Sequence, residues 1–167
     1  YPYLVEDVEV GSLVYLDDGK IQLRVTSKDD RELTAQVVAG GIITSHKGIS
    51  FAGARLRLPA LTEKDLKDLD FICTQDIDFI GLSFVRESED IMDLRRRLDK
   101  AGRSDVGIVA KIERHEALED LNSIVDASDA IMVARGDLAL DIPLEDLALV
   151  QKEIIRICVE KCKPVIV

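Results

Sequence analysis

The sequence predicts an α/β protein in which a small antiparallel β domain precedes part of a parallel (β/α)8 (TIM) barrel. Three observations carry this expectation. Apolar residues alternate with polar ones between turn signals up to about Leu58, the texture changes at Pro59, and beyond it brief apolar runs follow amphipathic segments in the order αβαβαβαβ. With 167 residues and 47% hydrophobic content the chain can bury a core.

In the first part, Ile21, Leu23 and Val25 are separated by Gln22, Arg24 and Thr26. Turn signals stand at Asp17-Asp18-Gly19, Lys28-Asp29-Asp30 and Gly40-Gly41, which together give short antiparallel strands. The predicted domains are residues 1–58 and 59–167. The second opens on Thr62, a helix cap followed by Glu63 and Asp65 in the first turn. Its strands are predicted over Asp78–Phe84, Gly107–Ile112, Ala130–Ala134 and Pro164–Val167, each the short apolar run of a sheet covered on both faces. Helices are predicted over Ser88–Ala101, Glu113–Ala127 and Leu144–Lys161, so the strands should run parallel through right-handed crossovers. No Gly-x-Gly-x-x-Gly turn supports an open doubly wound sheet. Four strands make half of an eight-stranded barrel, and the sequence reads as a segment of a longer chain.

Charge narrows the partners. The 32 acidic residues outnumber 22 basic ones, and a net charge of -10 repels nucleic acid and anionic membranes. No apolar run approaches the ~20 residues that span a bilayer, and no signal peptide is visible, so a soluble cytoplasmic protein is expected. Cys73, Cys158 and Cys162 read as reduced thiols, with no histidine beside them to complete a zinc site.

The chemistry concentrates at strand ends. Lys111 and Glu113 lie two apart at the end of one strand and share a face. Asp137 follows the next strand through Arg135-Gly136. In parallel barrels the C-terminal strand ends carry the active site. Two carboxylates meeting there repel unless a cation lies between them, and an oxygen-only pair suits Mg²⁺ or Mn²⁺ better than zinc. Gly136, lacking a Cβ, leaves backbone N–H groups open to an anion. Ser83 ends the first barrel strand and is expected either to face the pocket and bind substrate or, about as often at a strand end, to cap a helix or serve in packing. His115 is expected in a structural hydrogen bond, and Lys47 in a turn of the β domain either clamps phosphate or is simply solvated. The Arg135-Gly136-Asp137 triplet, at a buried strand end, is a poor context for a cell-adhesion motif.

Six segments resemble motifs of the pyruvate kinase family, in order and spacing. They are Val14-Tyr15-Leu16-Asp17-Asp18-Gly19, Gly40-Gly41 through Lys47-Gly48, Leu58-Pro59-Ala60-Leu61-Thr62-Glu63-Lys64-Asp65, Ser83-Phe84-Val85-Arg86, Lys111-Ile112-Glu113 and Ile131 through Leu138. The resemblance implies that residues up to Leu58 belong to a lid domain, a small antiparallel β-barrel, and that the rest supplies the third to sixth strands of the catalytic barrel. It implies phosphoryl transfer from phosphoenolpyruvate to ADP, giving pyruvate and ATP. Lys111 would then stabilise the transferring phosphoryl group and the enolate, Glu113 and Asp137 would hold Mg²⁺, and Gly136 and Asp137 would offer N–H groups to the substrate carboxylate. Lys47 would approach nucleotide phosphates. The resemblance also implies K⁺, with its ligands upstream of Tyr1, an enolate-protonating threonine beyond Val167, and a homotetramer. The isolated chain is therefore expected to be inactive. Ala139 stands where the family usually has glycine, and His46 where lysine or arginine is common. The residues alone also accommodate a metal-dependent aldolase or lyase of the pyruvate-enolate type, or a non-catalytic homologue.

Overall fold

A computed structural model describes residues 1–57 and 59–167. Leu58, the last residue of the expected β domain, lies outside the described residues. The chain divides into two compact units, Tyr1–Arg57 with Ala139–Leu144, and Leu58–Leu138 with Glu145–Val167.

The first unit contains the short helix α1 (Leu4–Asp7) and strands β1 (Leu13–Leu16), β2 (Ile21–Lys28), β3 (Leu33–Ala39) and β4 (Ile49–Phe51). They form one antiparallel sheet in the order β3-β2-β1-β4. The β1–β2 connection needs a left-handed backbone at three consecutive residues, with φ of 51°, 56° and 82° at Asp17, Asp18 and Gly19. Asp and Gly are the residues that tolerate it. The alternation read in β2 places Ile21 and Val25 in the interior, and Val8, Val14, Val25, Phe51 and Ala54 form the core of this unit. The two-residue period of β2 is interrupted by register shifts between Gln22 and Leu23 and between Val25 and Ser27.

The second unit contains α2 (Glu63–Ile72), β5 (Phe79–Leu82), α3 (Ser88–Lys100), β6 (Gly107–Ile112), α4 (Glu116–Glu119), α5 (Leu121–Ala127), β7 (Ala130–Val133), α6 (Arg135–Leu138), α7 (Leu147–Glu160) and β8 (Val165–Ile166). Its strands pair parallel in the sequential order β5-β6-β7-β8. Sequential order without a reversal is the arrangement of a (β/α)8 barrel, whereas a doubly wound sheet reverses at a switch point. Among the described residues the sheet has four strands and stays open, as a partial barrel does.

Helices α2 and α3 have local causes. Thr62 caps α2, its Oγ accepting the Asp65 N–H while Asp65 accepts the Thr62 N–H at 2.8 Å. Ile91, Leu94 and Leu98 of α3, spaced by three and four, are all buried. Asp90 accepts the N–H groups of Arg86 and Glu87 ahead of that helix. Arg103 gathers the carbonyls of Cys73, Gln75 and Ile77 and so fixes the approach to β5. Ile108, Ala110, Ile112, Ile131 and Val133 fill the sheet interior, and Ile124, Ile154 and Cys158 reach the core from α5 and α7.

Several boundaries differ from the sequence-based expectation, and β5, predicted over Asp78–Phe84, spans Phe79–Leu82, so Ser83 and Phe84 lie just past its end. The helix predicted from Glu113 begins at Glu116 and breaks at Asp120 into α4 and α5. The short helix α6 occupies Arg135–Leu138, between the strand predicted to end at Ala134 and the helix predicted from Leu144, where no helix is predicted. The last long helix starts at Leu147 rather than Leu144. All three cysteines are free, and burial pushes the Cys158 thiol up from its ordinary value. Among the described residues no helix is long and apolar enough to cross a membrane.

Candidate functional site

The end of β6 carries a buried ion pair. Lys111 Nζ lies 2.6 Å from Glu113 Oε1, with the Glu113 side chain only 1% exposed and that of Lys111 28%. An unpaired carboxylate at that depth would be costly to desolvate, so the lysine is its necessary counter-charge. Two further bonds reach the pair from the end of the neighbouring strand. Lys111 Nζ donates to Ser83 Oγ at 2.9 Å, and the Phe84 N–H donates to Glu113 Oε2 at 2.7 Å.

The parallel register explains this convergence. Leu82 pairs with Ala110, so Ser83 and Phe84 leave β5 level with Lys111 and the residues beyond it. Lys111 and Glu113 point to the same side because they are two apart. The Lys111 stem also passes close to Gly81, whose Cβ, if present, would lie 3.9 Å from Lys111 Cδ.

Asp137 and Gly136 occupy α6, which follows β7 directly. Lys111 is in register with Met132 and Ile112 with Val133, and the Ala134 N–H donates to the Ile112 carbonyl, so α6 begins beside the end of β6. Gly136 and Asp137 are exposed, and Asp137 is not drawn into the Lys111–Glu113 pair. A Cβ on Gly136 would meet nothing within 4 Å. Packing within the chain therefore does not demand glycine there. The structure thus joins Ser83, Lys111 and Glu113 directly, and leaves Asp137 and Gly136 as open groups on the adjacent strand's exit.

His115 Nδ1 stands 3.1 Å from Glu116 Oε2, which Arg114 also approaches at 3.3 Å, a local contact within the segment after β6. In the first unit, Lys47 Nζ lies 2.8 Å from Asp17 Oδ1, and Lys20 Nζ lies 3.0 Å from Asp17 Oδ2. The bond to Lys47 is the leading cause that holds the Asp17 carboxyl below its usual range, and the same bond raises the Lys47 ammonium. Sequence reasoning missed two of these partners. Phe84 gives no signal, since an aromatic residue at a strand end reads as packing. Asp17 was legible as a turn residue but not as the anion facing Lys47.

The model of the pyruvate kinase barrel domain matches residues 1–167. The chain belongs to the pyruvate kinase family. It is 43% identical to a pyruvate kinase of Bacillus licheniformis over 99% of its length and 29% of that protein. It is 45% identical to one of Mycobacterium intracellulare over all of its length and 35% of that protein. To a pyruvate kinase of Clostridium perfringens it is 38% identical over 99% of its length, again 35% of the relative. The chain spans about a third of the length of the curated relatives it matches. The open four-stranded parallel sheet is the part of that family's barrel domain that this stretch supplies.

Proposed function

We propose that this chain is the portion of a pyruvate kinase that carries the phosphoryl-transfer site, with phosphoenolpyruvate and ADP as substrates. The observation that carries the reading is the buried Lys111–Glu113 pair, held from β5 by Ser83 and Phe84 at the C-terminal end of the parallel strands. An ADP β-phosphate oxygen attacks phosphorus, the bond from phosphorus to the enol oxygen breaks, and that electron pair stays on the enolate of pyruvate. Negative charge moves from phosphoryl to enolate oxygen during this step. Lys111, partly exposed and aimed by Ser83, is positioned to offset it.

Glu113 and Asp137 offer only oxygen, the donor set of Mg²⁺ or Mn²⁺, and Asp137 is exposed. That ion, held by Glu113 and Asp137, would supply charge neutralisation and orientation of the phosphate. Gly136, with open space about it, lets the substrate carboxylate approach the N–H groups of α6. Lys47 is assigned to the nucleotide phosphates, which would take the place of Asp17 as its anionic partner. The homotetramer, the K⁺ requirement and a cytoplasmic location belong to this same proposal, on family resemblance.

The test is pyruvate release coupled to a reporter reaction, run on the full-length gene product and on Lys111→Met. The substitution is expected to cost about 10³-fold in kcat. Unchanged turnover would remove Lys111 from the chemistry, and absence of ATP formation by the unsubstituted protein would refute the reading itself.

A further inference from the structure

β5 ends at Leu82, and Ser83 and Phe84 carry the chain out of it. Phe84 has φ of +55°, a left-handed conformation that a bulky side chain avoids because its Cβ crowds the following carbonyl. Packing of the ring does not explain the conformation, since Phe84 is 57% exposed. Its amide supplies the explanation. The Phe84 N–H lies 2.7 Å from Glu113 Oε2, while the residue before it receives Lys111 Nζ at 2.9 Å. Two consecutive residues at one strand end thus fix both members of the ion pair on the neighbouring strand, Ser83 through its hydroxyl and Phe84 through its backbone.

We infer that Phe84 is a positioning residue for Glu113, acting through its N–H group and not through its ring. The left-handed step aims the N–H at Oε2, which sets the rotation of the buried carboxylate before any cation or substrate arrives. Oε1 is the oxygen paired with Lys111, and a carboxylate fixed in this orientation would hold a divalent ion with its lone pairs already aimed. Strained backbone persists where surrounding structure enforces it, and here the enforcement coincides with the ligand it aims. The inference rests on the proposal that Glu113 is a cation ligand.

The experiment is a Mn²⁺ titration, read by electron paramagnetic resonance of the free ion, on the full-length protein and its variants. Phe84→Gly and Phe84→Asn adopt positive φ readily and keep the N–H, so both are expected to bind Mn²⁺ within about twofold of the unsubstituted protein. Phe84→Val resists that conformation and is expected to bind about 10-fold more weakly. A role for the ring would reverse this order, with Val nearest to Phe and Gly furthest. Should Phe84→Val fail to fold, an amide-to-ester replacement at residue 84 with phenyllactic acid keeps the ring and removes the N–H. That replacement is expected to weaken Mn²⁺ about 10-fold. Full affinity in the ester, or a loss of 10-fold or so in Phe84→Gly, would overturn the inference. Glu113→Gln separates the two levels of argument. If Gln binds Mn²⁺ normally, the cation role of Glu113 fails. If Gln loses binding while the ester keeps it, only the positioning role of Phe84 fails.

Discussion

Glu113 shows how one residue's surroundings constrain what it can do. Its carboxylate is withdrawn from water and receives one cation and one backbone N–H, on opposite oxygens. A carboxylate has lone pairs for about four donors, so this pairing satisfies the charge and still leaves room for a cation. The two contacts on Lys111 are unequal in consequence. Removing the ammonium by Lys111→Met strands a buried charge and is expected to lower stability by about 3 kcal/mol, measured by urea unfolding, besides its effect on turnover. Removing the hydroxyl by Ser83→Ala leaves the ion pair intact, and water can reach the partly exposed lysine in its place. That substitution should cost only about 1 kcal/mol of transition-state stabilisation, roughly a fivefold fall in kcat/KM, with Mn²⁺ affinity unchanged. A Ser83→Ala loss as large as that of Lys111→Met would mean that the hydroxyl touches substrate itself.

At the scale of elements, the capping of α2 is the cleanest local cause. Thr62→Ala removes the hydroxyl that accepts the Asp65 N–H and bonds the Asp65 carboxylate, keeps the backbone N–H of residue 62, and is expected to destabilise the second unit by about 1 kcal/mol, while Leu94→Ala in the buried face of α3 should cost about 3 kcal/mol. The Thr62 hydroxyl is also the leading cause that holds the Asp65 carboxyl below its ordinary value. Its removal should therefore raise that pKa in an NMR titration, and an unshifted Asp65 would show that the box does not persist in solution. Elements of this kind were legible in the sequence because their causes are local. β6 was read at its observed bounds from a run of apolar residues, and α3 to within one residue at its end from its helical period. The break between α4 and α5 was not legible. It falls at Asp120, whose carboxylate accepts the N–H of Ser88, thirty-two residues away, and periodicity carries no record of such a bond. α6 has only four residues, too few to show a period. In the site, the shared face of Lys111 and Glu113 followed from their spacing, whereas the contributions of Ser83 and Phe84 depended on the register between β5 and β6.

Across the whole molecule, charge sets the response to acid, and two effects compete. The net charge of -10 at neutral pH is self-repulsive, so protonating carboxylates should relieve strain as pH falls. Against this, many of those carboxylates are held below their ordinary values by specific partners. Asp17 is bonded first of all to Lys47, Asp29 to the Arg31 N–H, Asp105 to Arg103, Asp120 to Ser123 and Glu153 to Arg156. A carboxyl depressed in the folded state stabilises it above the unfolded pKa, near 4, and that contribution disappears as pH drops through the folded value. Distance decides which effect dominates. The diffuse repulsion is screened beyond a Debye length of about 8 Å at physiological salt, while the paired groups stand within hydrogen-bond reach. Urea midpoints at that salt are therefore expected to stay level from pH 7 to about 5 and to fall below about 4. Asp29→Asn and Asp120→Asn should lower the plateau and flatten the acid limb, because each removes one group that must be protonated. Near 0.01 M salt the Debye length grows to about 30 Å, and the repulsion should tilt the plateau so that stability first rises on mild acidification. A midpoint that climbs steadily to pH 3 at physiological salt would show that self-repulsion, and not the paired carboxylates, governs the acid response.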